Sequence, residues 1–378
     1  VIEIVDSSLV YRNPRPHLRA VHAWHPTLVR IREAEWLASF DLADAVESHC
    51  YGTYLSRSLD DGATWSAPRR VLDASQHDGS YTLRLGRTAD GALTLAGALH
   101  ARRPAEQGML NVDTFGYTPM TLVQLRSTDD GESWTAPDPI DQPLAGTEFE
   151  TCHGIVELED GRRLLPTSTW MTWDGHAPHG MKAIALESTD GGATWPRVIT
   201  IADSWNERVT HFEQSLAPLP DGRTIAVTWA VGVDDGVTRP TEYFLAGAGA
   251  DDFAIRGRTG FAAQTAKLCV LADGTLVCAW RGDREPGLWL STAHLAGDDW
   301  VTDETVALWA GAGAATGMNG GGRAGDELSD LRFGYPNLVA RPDGDVEIAF
   351  WAREDDVNVI RRTRIRVSAG RSSDRAAA

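Results

Sequence analysis

The sequence has no apolar run near the ~18 residues needed to cross a bilayer, so no spanning helix is expected and the chain reads as soluble. It also lacks a basic excess: 35 Lys and Arg stand against 53 Asp and Glu, a net charge of −18. A chain this acidic has no broad cationic face for phosphates, so a nucleic-acid partner is not expected. Cysteine is scarce, at four in 378 residues, and does not make a disulfide framework. Cys269 and Cys278 flank "VLADGTLV" and would face each other across a two-residue Asp273-Gly274 turn. A bridge is possible there, and two buried thiols is the reading adopted. Cys50 and Cys152 could meet only through the fold. Helical periodicity is absent, and no Gly-rich loop follows a strand and opens a helix, so no nucleotide cofactor is expected. No leader is visible at "VIEIVDSSLV", which points to a cytoplasmic protein, or a secreted one if a leader has been removed. The polar tail, residues 371–378, is expected to be disordered.

What the sequence has in quantity is punctuation. Its 37 glycines and 14 tryptophans suit many tight turns and broad packing surfaces. Paired apolar runs joined by Asp-Gly occur at 83–99, 155–168, 216–229, 267–280 and 338–351. A sixth, "TLVRIREAEWLASF" at 27–40, lacks the Asp-Gly. Each reads as a β-hairpin. Six hairpins spaced by roughly 52 to 70 residues imply radial repetition. The expected fold is all-β: a six-bladed β-propeller occupying residues 1–370 as one domain, each blade a four-stranded antiparallel sheet. The lone strand patterns at the two ends, "VIEIVDSSLVY" and "VIRRTRIRV", are expected to share a blade and leave no open edge.

A second repeat runs through the first half. "SRSLDDGATW" (56–65), "RSTDDGESW" (126–134) and "ESTDGGATW" (187–195) recur at intervals of 69 and 61 residues. This turn resembles the Asp-box of the sialidase-like propellers, where it joins the outer two strands of a blade. Its role is structural: Asp caps backbone N–H groups, Gly supplies positive φ and Trp packs between sheets.

In a propeller, the starts of the first strands and the ends of the second strands open on one mouth. Those windows include "HAWHP" (22–26), "HDGSY" (77–81), "ETCHG" (150–154), "HFEQS" (211–215), "AAQTA" (262–266) and "FGYPN" (333–337). They hold most of the eleven histidines, an independent sign of a site. Their aromatic side chains can stack on pyranose rings.

Three first-strand segments resemble those of the sialidase superfamily. "FEQSLAPLPDG" resembles the segment with the catalytic Glu, which maps onto Glu213, and "GYPNLVARPDG" the one with the catalytic Tyr, which maps onto Tyr335. "CHGIVELEDGRRLLP" resembles a blade-three segment. The acid/base Asp implied by the resemblance is Asp44, with Asp41 second. The family's three-arginine carboxylate clamp is missing in part: Trp24 or His25 stands at the first position and Trp229 at the second. Arg281, Arg284 or Arg353 could supply the third. Neither Trp nor neutral His replaces a bidentate guanidinium, so a typical sialoside is not the expected substrate.

The substrate-binding candidates are Trp24, His25, His49, Tyr81, His100, Arg102, His153, His211, Gln264, Arg281 and Arg353. His-x-x-His pairs at "HAWH" (22–25) and "HAPH" (176–179) lack a third ligand at a fixed offset, and no metal site is assigned. The expected function is hydrolysis of a glycosidic bond in a sugar held at the propeller mouth. A polysaccharide lyase acting on a uronate and a non-catalytic carbohydrate-binding propeller are the alternatives.

Overall fold

A computed structural model describes residues 1–73, 77, 79–102, 107–151, 153–247, 252–282, 287–310 and 331–368. Cys152, Arg284, nearly all of the glycine-rich 310–327 stretch and the tail lie outside the described residues. The fold is a six-bladed β-propeller.

The N-terminal strand is β1 (Ile2–Arg12), and blade 1 follows as β2 (His22–Arg32), β3 (Glu35–Ala43), β4 (Gly52–Ser58) and β5 (Arg69–Arg70). Blade 2 is β6 (Ser80–Arg87), β7 (Leu93–His100), β8 (Met120–Ser127) and β9 (Asp138–Pro139). In blade 3 the inner strand is split into β10 (Glu148–Glu150) and β11 (Val156–Glu157). Both parts pair with β12 (Arg163–Trp170), which is followed by β13 (Ala183–Ser188) and β14 (Arg197–Ala202). Blade 4 is β15 (Val209–Pro218), β16 (Thr224–Gly232), β17 (Glu242–Ala246) and β18 (Ile255–Arg258). Blade 5 is β19 (Ala263–Val270), β20 (Leu276–Gly282), β21 (Leu288–Ala296) and β22 (Asp299–Trp309). Blade 6 is β23 (Phe333–Ala340), β24 (Val346–Glu354) and β25 (Val357–Val367), with β1 as its outermost strand. The two chain ends therefore close the ring as the sequence predicts, with β1 antiparallel to β25 from Ile2↔Val367 to Arg12↔Val359. Arg362 clamps this blade, bonding Glu347 at 2.7 Å and ion-pairing with Asp6 on β1.

Alternation in the strands sends one apolar row to each neighbouring blade. Six apolar clusters result, one at each blade interface, built around residues such as Leu83, Leu186, Phe244, Leu245, Phe350 and Phe40. Burying one such side chain contributes roughly 1.5–3 kcal/mol. A seventh cluster, Trp170, Met181, Phe212 and Trp229, sits at the mouth between blades 3 and 4.

The Asp-Gly hairpins differ from the expected two-residue turn. Gly274 N donates to Leu271 O and Leu271 N to Thr275 O, both at 2.9 Å, with φ +86 at Gly274. This is a three-residue loop whose left-handed residue makes a bulge, so only the glycine needs positive φ. The extra residue shifts the register: Leu268 opposes Cys278, and Cys269 opposes Val277. The two cysteines are offset and remain free thiols, and burial pushes Cys269 up to about 12.

The three repeated turns are locally self-satisfied. Asp60 Oδ1 accepts from Thr64 N and Ser58 Oγ, each at 2.8 Å, and Gly62 N donates to Ser58 Oγ at 2.8 Å. Asp129 and Asp190 repeat the pattern. No helix among the described residues is long and apolar enough to cross a membrane.

Candidate active site at the mouth of the channel

Three inner strands carry the same irregularity. Between Trp24 and Thr27, between Phe212 and Ser215, and between Gly334 and Asn337, one extra residue stands against the second strand. These are β-bulges, which re-aim a side chain out of the alternating pattern. The residue re-aimed is His25 (φ 50), Glu213 (φ 46) and Tyr335 (φ 47), all in the left-handed region that disfavours side chains. The polar residue after each bulge stitches the next blade: Thr27 accepts from Leu85 N, Ser215 from Leu268 N and Asn337 from Leu28 N. Those inter-blade bonds hold the strained backbone in place.

The three residues meet at a cavity of about 470 Å³. His25 is edge-on to the Tyr335 ring, 4.6 Å between centroids. Behind His25 lies Asp41, fully buried, with its carboxylate shared among His25 Nδ1 (3.1 Å), Thr53 Oγ1 (2.6 Å) and Arg84 Nη1 (2.9 Å). Burial works to raise the Asp41 carboxyl, but Arg84, His25 and Thr53 together hold it below its ordinary value. His25 Nδ1 faces the Asp41 carboxylate and, at 2.8 Å, the Tyr51 hydroxyl; with its proton on Nδ1, donated to Asp41, it leaves Nε2 as an acceptor. Burial, outweighing Asp41, lowers His25 and keeps it neutral. Across the cavity, the backbone N–H of Glu213 donates to Glu150 Oε2 at 3.1 Å, and both residues line the cavity from adjacent blades. Glu213 Oε2 is buried without a hydrogen-bond partner among the described residues. Lys267, buried on β19, donates to the carbonyls of Glu213 (3.0 Å) and Gln214 (2.7 Å) and lies 4.6 Å over the Tyr335 ring.

Solved structures share this architecture along the whole chain. A protein of unknown function from Dyadobacter fermentans aligns at a TM-score of 0.72 and 18% identity, covering 97% of this chain and 99% of its own. The NanB sialidase of Streptococcus pneumoniae aligns at 0.63 and 12%, covering 95% of this chain and 70% of its own. The fold is that of the sialidase-like propellers. The α-L-arabinanase of Penicillium chrysogenum, in complex with arabinobiose, aligns at 0.61 and 16%, covering 96% and 98%. At these identities the likeness shows the fold alone. No protein-family model and no curated protein matches the chain.

Within this sialidase-like ring, the candidates read from sequence separate into groups. Trp24, His25, His100, Glu213 and Tyr335 line the cavity. Asp41 stands directly behind it, closed off by its partners. Asp44 is not brought there: β3 ends at Ala43, and Asp44 turns outward, 55% exposed, onto Arg19 at 3.0 Å. His49 is half-buried in the connection after β3, and its carbonyl accepts from Ser80 Oγ. Arg102 braces the same connection through the carbonyls of Glu47 and Ser48. Tyr81 is a core residue whose hydroxyl bonds the backbone of Leu72. His211 is buried between Thr228 and Ser204. His153 lines a second cavity of about 310 Å³ further down the channel. Gln264 accepts from Arg281 Nε, and Arg281 also bonds Phe333 O below Trp229. Arg353 pairs with Asp356 at 3.2 Å. Burial pulls His100, His153 and His211 each down to about 4.

Sequence reading missed Glu150, Arg84, Lys267 and Tyr51. Arg84 and Lys267 carried a usable signal, a charged residue in the middle of an otherwise apolar inner strand ("TLRLG", "TAKLC"). Aligning "WHPTL", "FEQSL" and "GYPNL" would have shown the shared bulge position.

Proposed function

We propose that the protein is a glycoside hydrolase acting on a sugar without a carboxylate at its reacting carbon, with Glu213 and Glu150 as the working pair. The observation that carries this reading is that both glutamates line one cavity, tied by the bond from the Glu213 N–H to Glu150 Oε2, with Glu213 Oε2 buried and without a hydrogen-bond partner among the described residues. In this reading Glu150 gives its proton to the departing glycosidic oxygen as the C–O bond breaks. Glu213 attacks the anomeric carbon or takes a proton from the attacking water. The strained backbone at His25, Glu213 and Tyr335 supports a functional role, since such strain collects at active sites. His25, oriented by Asp41, would accept from a sugar hydroxyl, and Tyr335 would stabilise positive charge at the anomeric carbon. Asp41, buried among its partners, is read as a positioning residue, in place of the donor role expected of it.

Charge selects the substrate class. Arg84 is the one cationic side chain lining the cavity among the described residues, and its charge is matched by Asp41. Glu47, Asp113, Glu150, Glu213 and Asp234 line the same space. Among the described residues no bidentate clamp awaits a sialic carboxylate, and a neutral sugar fits better; the arabinobiose held by the arabinanase is such a sugar. A panel of neutral aryl glycosides and aryl sialosides tests this. Turnover of a neutral glycoside, lost in both Glu213→Gln and Glu150→Gln, is expected. Ordinary turnover of a sialoside would overturn the charge argument.

A second reading, β-elimination from a uronate, draws on His25 as an oriented neutral base beside Tyr335 and above Arg84. An ultraviolet-absorbing unsaturated uronate among the products would establish it. We also read the three repeated turns as Asp-boxes and residues 1–370 as one domain. Release of a stable half by limited proteolysis would overturn the domain reading.

A further inference from the structure

The cavity has two unlike halves. His25, Arg84 and Tyr335 gather on one side, from blades 1, 2 and 6, and Glu150 and Glu213 stand across from them on blades 3 and 4. On the other, over blades 3 and 4, Tyr117, Trp170, Phe212 and Trp229 follow one another with ring centroids 5.6, 5.3 and 4.4 Å apart. Met171 and Phe115 complete this wall. Both indole N–H groups are engaged by protein: Trp170 Nε1 donates to Phe115 O at 2.7 Å and Trp229 Nε1 to Thr238 Oγ1 at 3.3 Å. The indoles therefore offer a ligand their carbon surface and no donor.

Phe115 adds an independent sign. Its φ is 63, a conformation that costs a bulky residue energy, and yet this aromatic residue lines the cavity. The loop is bolted into that shape. Phe115 N donates to Asn111 O at 2.9 Å, while Asn111 Nδ2 and Thr114 Oγ1 both bond Trp173 O at 2.8 Å. Of nine described non-glycine residues with positive φ, four line this cavity: His25, Glu213, Tyr335 and Phe115. Three stand at the polar centre. The fourth is an aromatic residue.

We infer that this wall is a subsite for a flat, uncharged, apolar group carried by the substrate, such as the aryl or polycyclic aglycone of a glycoside. A ring of that kind stacks on the aromatic surface and needs no hydrogen-bond partner there. A sugar ring in the same place would leave its hydroxyls without partners on the indoles. An anionic aglycone would face Asp113 at the rim, Asp234 being already paired with Arg208 at 2.7 Å. The inference rests on the hydrolase reading, in which Phe212 and Glu213 adjoin and the departing group leaves toward the wall.

The probe is 2-naphthol, titrated into the intact protein and followed by tryptophan fluorescence and calorimetry, with naphthalene-2-sulfonate as its anionic counterpart. Saturable binding of 2-naphthol is expected, with the sulfonate weaker by about tenfold or more. Phe115→Asn removes the ring while keeping a residue that tolerates positive φ. It should weaken 2-naphthol by about tenfold without lowering the melting temperature. Met171→Glu, at a half-exposed position, should weaken it similarly and covers the case in which the loop variant is unstable. Absence of saturable binding, or binding that both variants leave untouched, would overturn the subsite. Equal binding of the sulfonate would overturn its restriction to uncharged groups. No bond is cleaved in this assay, so the subsite can stand if no glycoside is hydrolysed, and hydrolysis can stand if the subsite fails.

Discussion

The repeated turns and the channel mouth use the same chemistry, a carboxylate at a left-handed stretch of backbone, to opposite ends. At Asp60, Asp129 and Asp190 every partner lies within four residues along the chain, and those hydrogen bonds pull each carboxyl down to about 2. At the mouth the partners come from other strands and other blades. Asp41 is held by Thr53 from β4 and Arg84 from β6, and Glu213 N reaches Glu150 from the neighbouring blade. Glu213 Oε2 has no partner at all among the described residues. A locally satisfied carboxylate has no free valence for a substrate. One placed by distant strands, with an oxygen unengaged, does.

The contrast should be broken most forcefully at Arg84. Arg84→Met leaves Asp41 buried without its cation, and removing one partner of a buried pair costs about 3–5 kcal/mol. Urea unfolding measures this, and a loss under about 1 kcal/mol would mean that Asp41 is neutral or hydrated.

Acid should separate the two regions by pH. His100 and His211 are buried and titrate near 4 in the folded protein against about 6.5 unfolded. Their contribution is complete above pH 6.5, declines as the pH falls and is exhausted below about 4. It is on the order of 3 kcal/mol each as an upper bound. The three turn aspartates, depressed from 3.8 to about 2, act in the opposite compartment of the titration. Their contribution persists above 3.8 and is lost only as the pH falls toward 2. Melting temperature followed from pH 8 to 2 should show two separate declines, and His100→Gln with His211→Gln should shrink the upper one, to which His153 also contributes, and leave the lower one unchanged.

Next in size is Glu213→Gln, which keeps shape and removes charge. Turnover should fall by at least ~100-fold, the low end for a positioned acid or base, with melting unchanged. Normal turnover on the true substrate would shift the catalytic role to His25. The smallest effect belongs to the turns: Asp190→Asn should lower the melting temperature slightly and leave turnover untouched. A loss of activity there would mean that the turn helps to shape the mouth.

Much of this was legible beforehand, for identifiable reasons. The hairpin spacing and the lone strands at the ends led to six blades and a ring closed by β1 on β25, because strand pairing and alternation are local properties of a sequence. The mouth was also located, since blade geometry fixes where first strands begin and second strands end. Within it, the windows pointed to His25, Glu213 and Tyr335, which line the cavity, whereas Asp44 lies outside it because the chain turns outward one residue past β3. Glu150 was passed over because its importance comes from Glu213, 63 residues away on the next blade. Arg84 showed itself only as a charge inside an apolar strand, and its partner, Asp41, lies on a different sheet.

The sequence by itself determined the repeating elements, the sign of the overall charge and the polar residues that bulges can re-aim. Only the tertiary structure decided which carboxylates line one cavity, which cation is already matched and which half of the cavity is apolar. The physical reason is range. Hydrogen bonds within a turn are written in consecutive residues, whereas the desolvation and charge pairing that make a carboxylate reactive depend on neighbours that only the closed ring brings within reach.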